Sequence, residues 1–79
     1  TIMLEKMKSM IAAQLGVKEE TITKESNLKE DLGADSLDLF QLVMDLEDEY
    51  AVKIPSEDLE SLVTVGDVME YLQGKGVED

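Results

Sequence analysis

The sequence predicts an all-α fold: a small helical bundle of three main helices plus one short helix, with a long anchored loop between helices 1 and 2. Three segments repeat apolar residues at the spacing of one helix face. The chain has 79 residues and no cysteine, so its stability must come from helices packed around one core, without disulfides. No internal repeat or low-complexity tract interrupts this pattern, and we expect residues 1–79 to form a single domain.

The first helix is predicted over residues 2–16, "IMLEKMKSMIAAQLG". Met3, Met7 and Ile11 recur at intervals of about one turn, with Met10 beside them, as on the buried side of an amphipathic helix. Gly16 can adopt the left-handed conformation that commonly ends a helix. This segment is therefore expected to bury its methionine side against the core.

The next segment, residues 17–35, has no sustained period. Structureless loops of this length are uncommon in compact domains. Four apolar residues are nevertheless spaced along it: Val17, Ile22, Leu28 and Leu32. We expect these side chains to anchor the loop to the core.

The strongest helical pattern is "SLDLFQLVMDLEDEYA", residues 36–51. Asp35 or Ser36 can cap its start, and Asp38 falls in the first turn, where the helix dipole favours a negative charge. On a helical wheel with about 100° between residues, five residues fall in one arc that is expected to face the core: Leu39, Leu42, Val43, Leu46 and Tyr50. A second apolar strip, defined as Leu37, Phe40 and Met44, lies apart from this arc on the side of Ser36.

This apolar strip has two interpretations. A small bundle can bury a broad face, in which case the strip is simply more core. Alternatively, the strip is exposed and is bordered by Glu47 and Asp48, as a protein docking surface would be. The separation of the two apolar arcs favours docking.

The rest of the chain predicts a short helix and a final helix. Ile54 precedes Pro55 and should be extended, and Ser56 can cap a short helix that ends near residue 61. Thr64 and Asp67 have the spacing of a capping box, which opens "VGDVMEYLQ", and Gly74 can end that helix. Its apolar face is expected to comprise Val65, Val68, Met69 and Leu72.

Charge limits the classes of partner. The chain has 19 acidic residues against seven lysines, a net charge of −12; such a surface repels nucleic acid and anionic lipid and attracts basic protein surfaces. Residues 33–73 contain eleven acids and one lysine, Lys53, so the partner-facing surface is expected there. No apolar run approaches the length of a membrane span, and we expect that the N-terminal stretch, which mixes charges into its apolar residues, is not a signal sequence. We expect a cytoplasmic monomer without stable membrane insertion.

Ser36 lies in "DLGADSLD" and has three candidate roles: nucleophile, helix cap or attachment point. The chain has no histidine, and Lys29, the nearest lysine in sequence, is seven residues away, so a nucleophile would lack its base. We therefore expect no catalytic residue and no enzyme. A capping serine is common, but Asp35 competes for the cap position, which would place the Ser36 hydroxyl in the first turn, facing solvent. The small residues "LGA" would then give another protein's active site a flexible approach to it.

Clustered acids also suggest cation binding. The offsets of an EF-hand fail after Asp31, so no dedicated metal site is expected. Diffuse cation binding is expected at most, along Asp31, Asp35, Asp38, Glu47, Asp48 and Glu49.

The stretch "EDLGADSLDLFQLVMDLEDEY" resembles the phosphopantetheine attachment region of acyl carrier proteins. The resemblance covers nearly the whole chain, including "AAQLGV" and "IPSEDLESLVTVGDVMEYL". It implies one acyl carrier domain, in which a carrier protein synthase transfers 4′-phosphopantetheine from coenzyme A to Ser36. The thiol of that arm would carry growing acyl chains as thioesters, supplying the sulfur that the chain lacks. Ala34 and the strong acidity resemble the stand-alone, bacterial-type proteins of fatty-acid synthesis.

The resemblance also implies roles for two sets of residues. Docking to basic patches on fatty-acid synthesis enzymes would involve Asp35, Leu37, Asp38, Phe40, Met44, Glu47 and Asp48. An acyl chain would be held in a pocket lined by Leu42, Val43, Leu46, Ile54, Leu62, Val68 and Leu72. Phe40 is bulkier than the family pattern, and Gln41 replaces an acid, so both bear on partner choice. Two alternatives stay open: a carrier for a polyketide or other specialised pathway, and an unmodified acidic helical adaptor in which Ser36 is only a cap.

Overall fold

The computed structural model describes residues 2–79 and contains three α-helices and two short 3₁₀ helices. Helix α1 spans Ile2–Leu15, α2 spans Ser36–Tyr50 and α3 spans Val65–Gly74. The 3₁₀ helices span Glu19–Thr21 and Ser56–Ser61. Within these residues no strand forms, and the pairing of Asn27 with Thr64 is an isolated bridge. The prediction of an all-α bundle with three main helices and one short helix is confirmed, with one additional 3₁₀ turn in the long loop.

One apolar core joins the three α-helices. The predicted faces are buried: Met3, Met7 and Ile11 of α1; Leu39, Leu42, Val43 and Leu46 of α2; Val65, Val68, Met69 and Leu72 of α3. Tyr50, also expected in the core arc of α2, is only partly buried and packs against the core from outside. Burial of these side chains is the main favourable contribution to folding, and it holds α2 in place against α1.

The loop between α1 and α2 is anchored, as predicted. Of its four apolar residues, three are buried and one is partly buried: Ile22, Leu28, Leu32 and Val17. The backbone N–H of Leu28 donates to the carbonyl of Val63 at 3.0 Å, and that of Val65 donates to the carbonyl of Ser26 at 3.1 Å. These bonds tie the loop to the segment before α3, so residues 24–34 take a defined course towards the start of α2.

The start and the end of α3 were both predicted correctly, since the helix spans Val65–Gly74. The Thr64 hydroxyl accepts from the N–H of Asp67 at 3.1 Å, and the Asp67 carboxylate accepts from the N–H of Thr64 at 3.0 Å. Hydrogen bonds from the backbone N–H groups hold the pKa of Asp67 below its usual value. Gly74 is still helical, and Gly76 has the positive φ of 91°. The helix therefore ends at Gly74 as expected, but the left-handed glycine that accompanies this end is Gly76, two residues later.

The second 3₁₀ helix differs from the expectation at its start. Pro55 occupies the cap position with extended backbone angles, and Ser56 is the first helical residue, so no side chain caps this helix. The Ser56 cap was wrong because the residue that ends the extended segment is the proline itself. The Tyr71 hydroxyl donates to the Asp58 carboxylate at 2.6 Å, which fastens this helix to α3 and raises the pKa of Tyr71 to about 12.

Candidate functional site

The chain enters α2 through a fixed turn. Gly33 has a φ of 76°, in the left-handed region that glycine adopts readily. Ala34 is buried, and its N–H donates to the carbonyl of Leu28 at 2.9 Å. We expected the small residues before Ser36 to form a flexible approach for another protein. Instead, Ala34 fastens the chain to the core two residues before the serine.

The first turn of α2 leaves the serine hydroxyl unused. Asp35 is the cap: its carboxylate accepts from the N–H of Asp38 at 2.9 Å, and the Asp38 carboxylate accepts in return from the N–H of Asp35 at 3.3 Å. Ser36 is the first helical residue and is exposed. Within residues 2–79 its hydroxyl makes no hydrogen bond. Ser36 is thus not a cap, and its oxygen is open to reaction from solvent.

Two adjoining crevices open beside Ser36, between the start of α2 and the second 3₁₀ helix. The nearer one has a volume of about 150 Å³ and is lined by Lys29, Ser36, Leu39, Phe40, Leu59 and Glu60. The further one has a volume of about 190 Å³ and is lined by Asn27, Lys29, Glu30, Leu39, Leu59, Glu60, Leu62 and Val63. They share four lining residues and are together called the apolar channel below, after the five apolar side chains that make up half of their lining; the other half is polar or charged.

The sequence did not predict these crevices. Leu59 and Glu60 follow Ser36 by more than twenty residues, and no local pattern links them to it; the tertiary fold brings them together. Of the seven residues predicted to line an acyl pocket, Leu62 lines the further crevice. All seven are buried in the core. Their role as a pocket stays a prediction.

The apolar strip of α2 is on the surface. Its exposed fractions are 77% for Leu37, 49% for Phe40 and 56% for Met44, so the interpretation that these residues are core is wrong. Asp48 is exposed beyond the strip. Glu47 is partly buried, and its carboxylate accepts from the N–H of Ile54 at 2.7 Å. The acids predicted for docking therefore differ in role: Asp48 is exposed and its carboxylate is not bonded to the backbone within residues 2–79, whereas Glu47 also holds the segment that follows α2.

Charge on this surface is mostly uncompensated. The chain has a net charge of −12. Only one salt bridge, between Lys6 and Glu49 at 2.7 Å, forms within the described residues. Among the residues that the structure describes, no group of three acidic side chains is placed to hold a metal ion. None of the helices in residues 2–79 has the length and hydrophobicity required to cross a membrane.

Raising the salt concentration is expected to stabilise the fold. The Debye length falls from about 30 Å to about 8 Å between about 0.01 M and 0.15 M ionic strength, whereas the molecule measures 28 × 26 × 19 Å. At low salt nearly all the acids therefore repel one another, and at higher salt only neighbours do. A relief of about 1 kcal/mol would raise the melting temperature by roughly 4–8 °C. Thermal unfolding followed by circular dichroism, in NaCl and in MgCl₂ at equal ionic strength, measures this; an unchanged melting temperature would contradict it.

Comparison with known proteins decides the family. Residues 5–72 match the family model described as the phosphopantetheine attachment site. The acyl carrier protein of Thermotoga maritima is 53% identical over 70 residues, which are 89% of this chain and 86% of that protein. The chain belongs to the acyl carrier protein family. The acyl carrier protein of Clostridium perfringens is also 53% identical, over 89% of this chain and 92% of its own.

Solved structures of acyl carrier proteins have the same fold. The acyl carrier protein of Enterococcus faecalis matches with a TM-score of 0.78 and 33% identity, over 91% of each chain. A Mycobacterium tuberculosis protein assigned to the acyl carrier proteins matches with a TM-score of 0.84 and 38% identity, over 92% of this chain and 97% of that one. The long loop and α2 are thus parts of a known architecture.

Membership in the acyl carrier protein family identifies the prosthetic group as 4′-phosphopantetheine. The residues at the start of α2 fit this group, since Ser36 presents an exposed and unbonded hydroxyl beside an apolar channel. When attached, the group supplies a terminal thiol that the chain, with no cysteine, does not have. Acyl carrier proteins are carriers rather than catalysts.

Proposed function

We propose that this acyl carrier protein carries growing fatty acyl chains as thioesters on a phosphopantetheine arm attached to Ser36, and delivers them to the enzymes of fatty-acid synthesis. The observation that supports this most directly is the state of the Ser36 hydroxyl. It is exposed, it makes no hydrogen bond within residues 2–79, and it lies at the mouth of an apolar crevice.

Attachment is a phosphoryl transfer from coenzyme A. The Ser36 Oγ attacks the phosphorus next to the pantetheine, so that a new P–O bond forms and the pyrophosphate P–O bond breaks. Adenosine 3′,5′-bisphosphate leaves, and the serine proton passes to a base. The synthase must supply that base, because no group in residues 2–79 is hydrogen-bonded to the Ser36 hydroxyl.

Docking is proposed to use the exposed face of α2. The apolar strip supplies contact area that is lost to water on binding, and the acids at its ends select partners with basic patches. The negative charge for docking is proposed to come from Asp35, Asp38 and Asp48. Glu47 contributes less, because its carboxylate is hydrogen-bonded to the N–H of Ile54. We propose a cytoplasmic monomer, since each delivery requires this face to be free.

The acyl chain is proposed to enter the protein beside Ser36. The channel leads past Leu39 and Leu59 to Leu62, where the core begins. Its crevices are smaller than the roughly 300–1,000 Å³ of ordinary ligand pockets, so a long chain requires core side chains to move apart. The side chains proposed to contact such a chain are those predicted from the sequence: Leu42, Val43, Leu46, Ile54, Leu62, Val68 and Leu72.

Intact mass spectrometry tests the attachment. The protein is incubated with coenzyme A and a carrier protein synthase of broad specificity, alongside Ser36→Ala and, as a matched control, Ser9→Ala, which changes an exposed serine of α1. We expect one phosphopantetheine on the parent and on Ser9→Ala, and a complete loss of modification in Ser36→Ala. The melting temperature of Ser36→Ala should equal that of the parent, because the Ser36 hydroxyl makes no hydrogen bond within residues 2–79.

Modification of the Ser36→Ala variant would show that the arm is attached at another residue. Absence of modification on the parent would contradict the proposal and leave an acidic adaptor as the better account. Transfer of malonyl groups onto the loaded parent by a fatty-acid synthesis transferase then tests the pathway: we expect the thioester to form, and failure there alone would point to a specialised pathway.

A further inference from the structure

We propose that Lys29 binds the phosphodiester that joins the arm to Ser36, and so directs the first part of the arm over the apolar channel. This inference depends on attachment at Ser36, proposed above. Lys29 and Ser36 line the same crevice of about 150 Å³, and Lys29 also lines the adjoining one. Among the residues that line either crevice, Lys29 is the single cation.

The electrostatic surroundings of Ser36 make a nearby cation important. A phosphodiester at the hydroxyl adds a full negative charge beside Asp35 and Asp38, whose carboxylates already accept the N–H groups at this helix end. Glu60 lines the same crevice from the opposite element. Unopposed, these three carboxylates repel the phosphate. A lysine ammonium acts on phosphate as a point charge and forms charge-assisted hydrogen bonds to its oxygens.

Lys29 is free to make this contact. Its side chain is exposed, and the one salt bridge in residues 2–79 involves other residues. The backbone of Lys29, by contrast, is held by hydrogen bonds of both its N–H and its carbonyl. The N–H donates to the Asn27 side-chain oxygen at 3.0 Å, and the carbonyl accepts from the N–H of Gly33 at 3.2 Å. The Cα is thus fixed at the edge of the crevice, while the four-carbon side chain can reach across it.

Such a contact would set the direction of the arm. With its phosphate held at the Lys29 rim, the arm runs between Leu39, Phe40 and Leu59, the apolar walls of the nearer crevice. Without it, repulsion from Asp35 and Asp38 favours an arm that extends into solvent. Lys29 is in this sense a positioning residue, which biases the arm towards the channel.

Phosphorus-31 NMR of the loaded protein tests the inference directly, without any enzyme assay. The variant is Lys29→Gln, and the matched control is Lys18→Gln, which removes the same charge from an exposed residue of the same loop that lines neither crevice. Low ionic strength is used, because exposed charge pairs are screened by salt. Mass spectrometry confirms one arm on each protein, and circular dichroism confirms the fold.

We expect the phosphodiester resonance of Lys29→Gln to move most of the way to that of the urea-unfolded loaded protein, and its line to narrow. The Lys18→Gln resonance should coincide with the parent, and Lys29→Arg should restore the parent signal. Identical resonances in the parent, Lys29→Gln and Lys18→Gln would overturn the inference and leave attachment at Ser36 intact. Equal shifts in both glutamine variants would overturn it too, as an effect of net charge alone. Absence of an arm on the parent would instead overturn the proposed function and this inference with it.

Discussion

Leu46→Ala is expected to lower the free energy of unfolding by about 2–5 kcal/mol, the usual effect of truncating a fully buried leucine. Leu46 has no exposed surface and lies in the core arc of α2. Domains are typically stable by only about 5–15 kcal/mol, so this one change would remove a large share of the total. Urea unfolding followed by circular dichroism measures it.

Met44→Ala is the matched control, two residues away on the same helix. Met44 is 56% exposed, and a surface substitution usually changes stability by at most about 0.5 kcal/mol. The pair therefore separates the core arc from the apolar strip on a single element. Equal losses of unfolding free energy in the two variants would mean that the strip is packed in the core, which would contradict the exposure of Met44 in the structure.

The same Met44→Ala variant is expected to lower kcat/KM of a carrier protein synthase about tenfold, because truncating a central apolar contact commonly costs more than about 1 kcal/mol of binding. The melting temperature should stay that of the parent. Ile2→Ala is the control, since Ile2 is 65% exposed but lies on α1. An unchanged kcat/KM for Met44→Ala, or an equal loss for Ile2→Ala, would contradict docking through the strip.

Charge is tested at the same face with Asp48→Lys. We expect slower association with the synthase and a loss that shrinks as salt is raised, because long-range attraction is screened. Glu70→Lys makes the same change of charge on α3 and should have a smaller effect. Glu47→Lys is unsuitable as a probe, since it removes the acceptor for the Ile54 N–H and would combine a docking effect with a loss of stability.

Local patterns predicted some features of the site well and others not at all. The capping box of Thr64 and Asp67 was predictable because both partners lie within one turn and the hydrogen bonds are between neighbours. The competition between Asp35 and Ser36 was not resolved by the sequence, since either residue can cap. In the structure Asp38 accepts from the Asp35 N–H, which selects Asp35 and leaves the serine exposed.

The sequence by itself determined the helices, the two apolar arcs of α2 and the attachment motif, because helical periodicity and capping depend on residues a few positions apart. Only the tertiary structure decided that the apolar strip is exposed, that Glu47 accepts from the Ile54 N–H, and that Lys29 and Glu60 both line the crevice beside Ser36. The physical reason is that burial and charge proximity depend on which distant segments pack together. The hydrogen bonds that join the long loop to the residues before α3 establish that packing here, and no local pattern in the sequence encodes it.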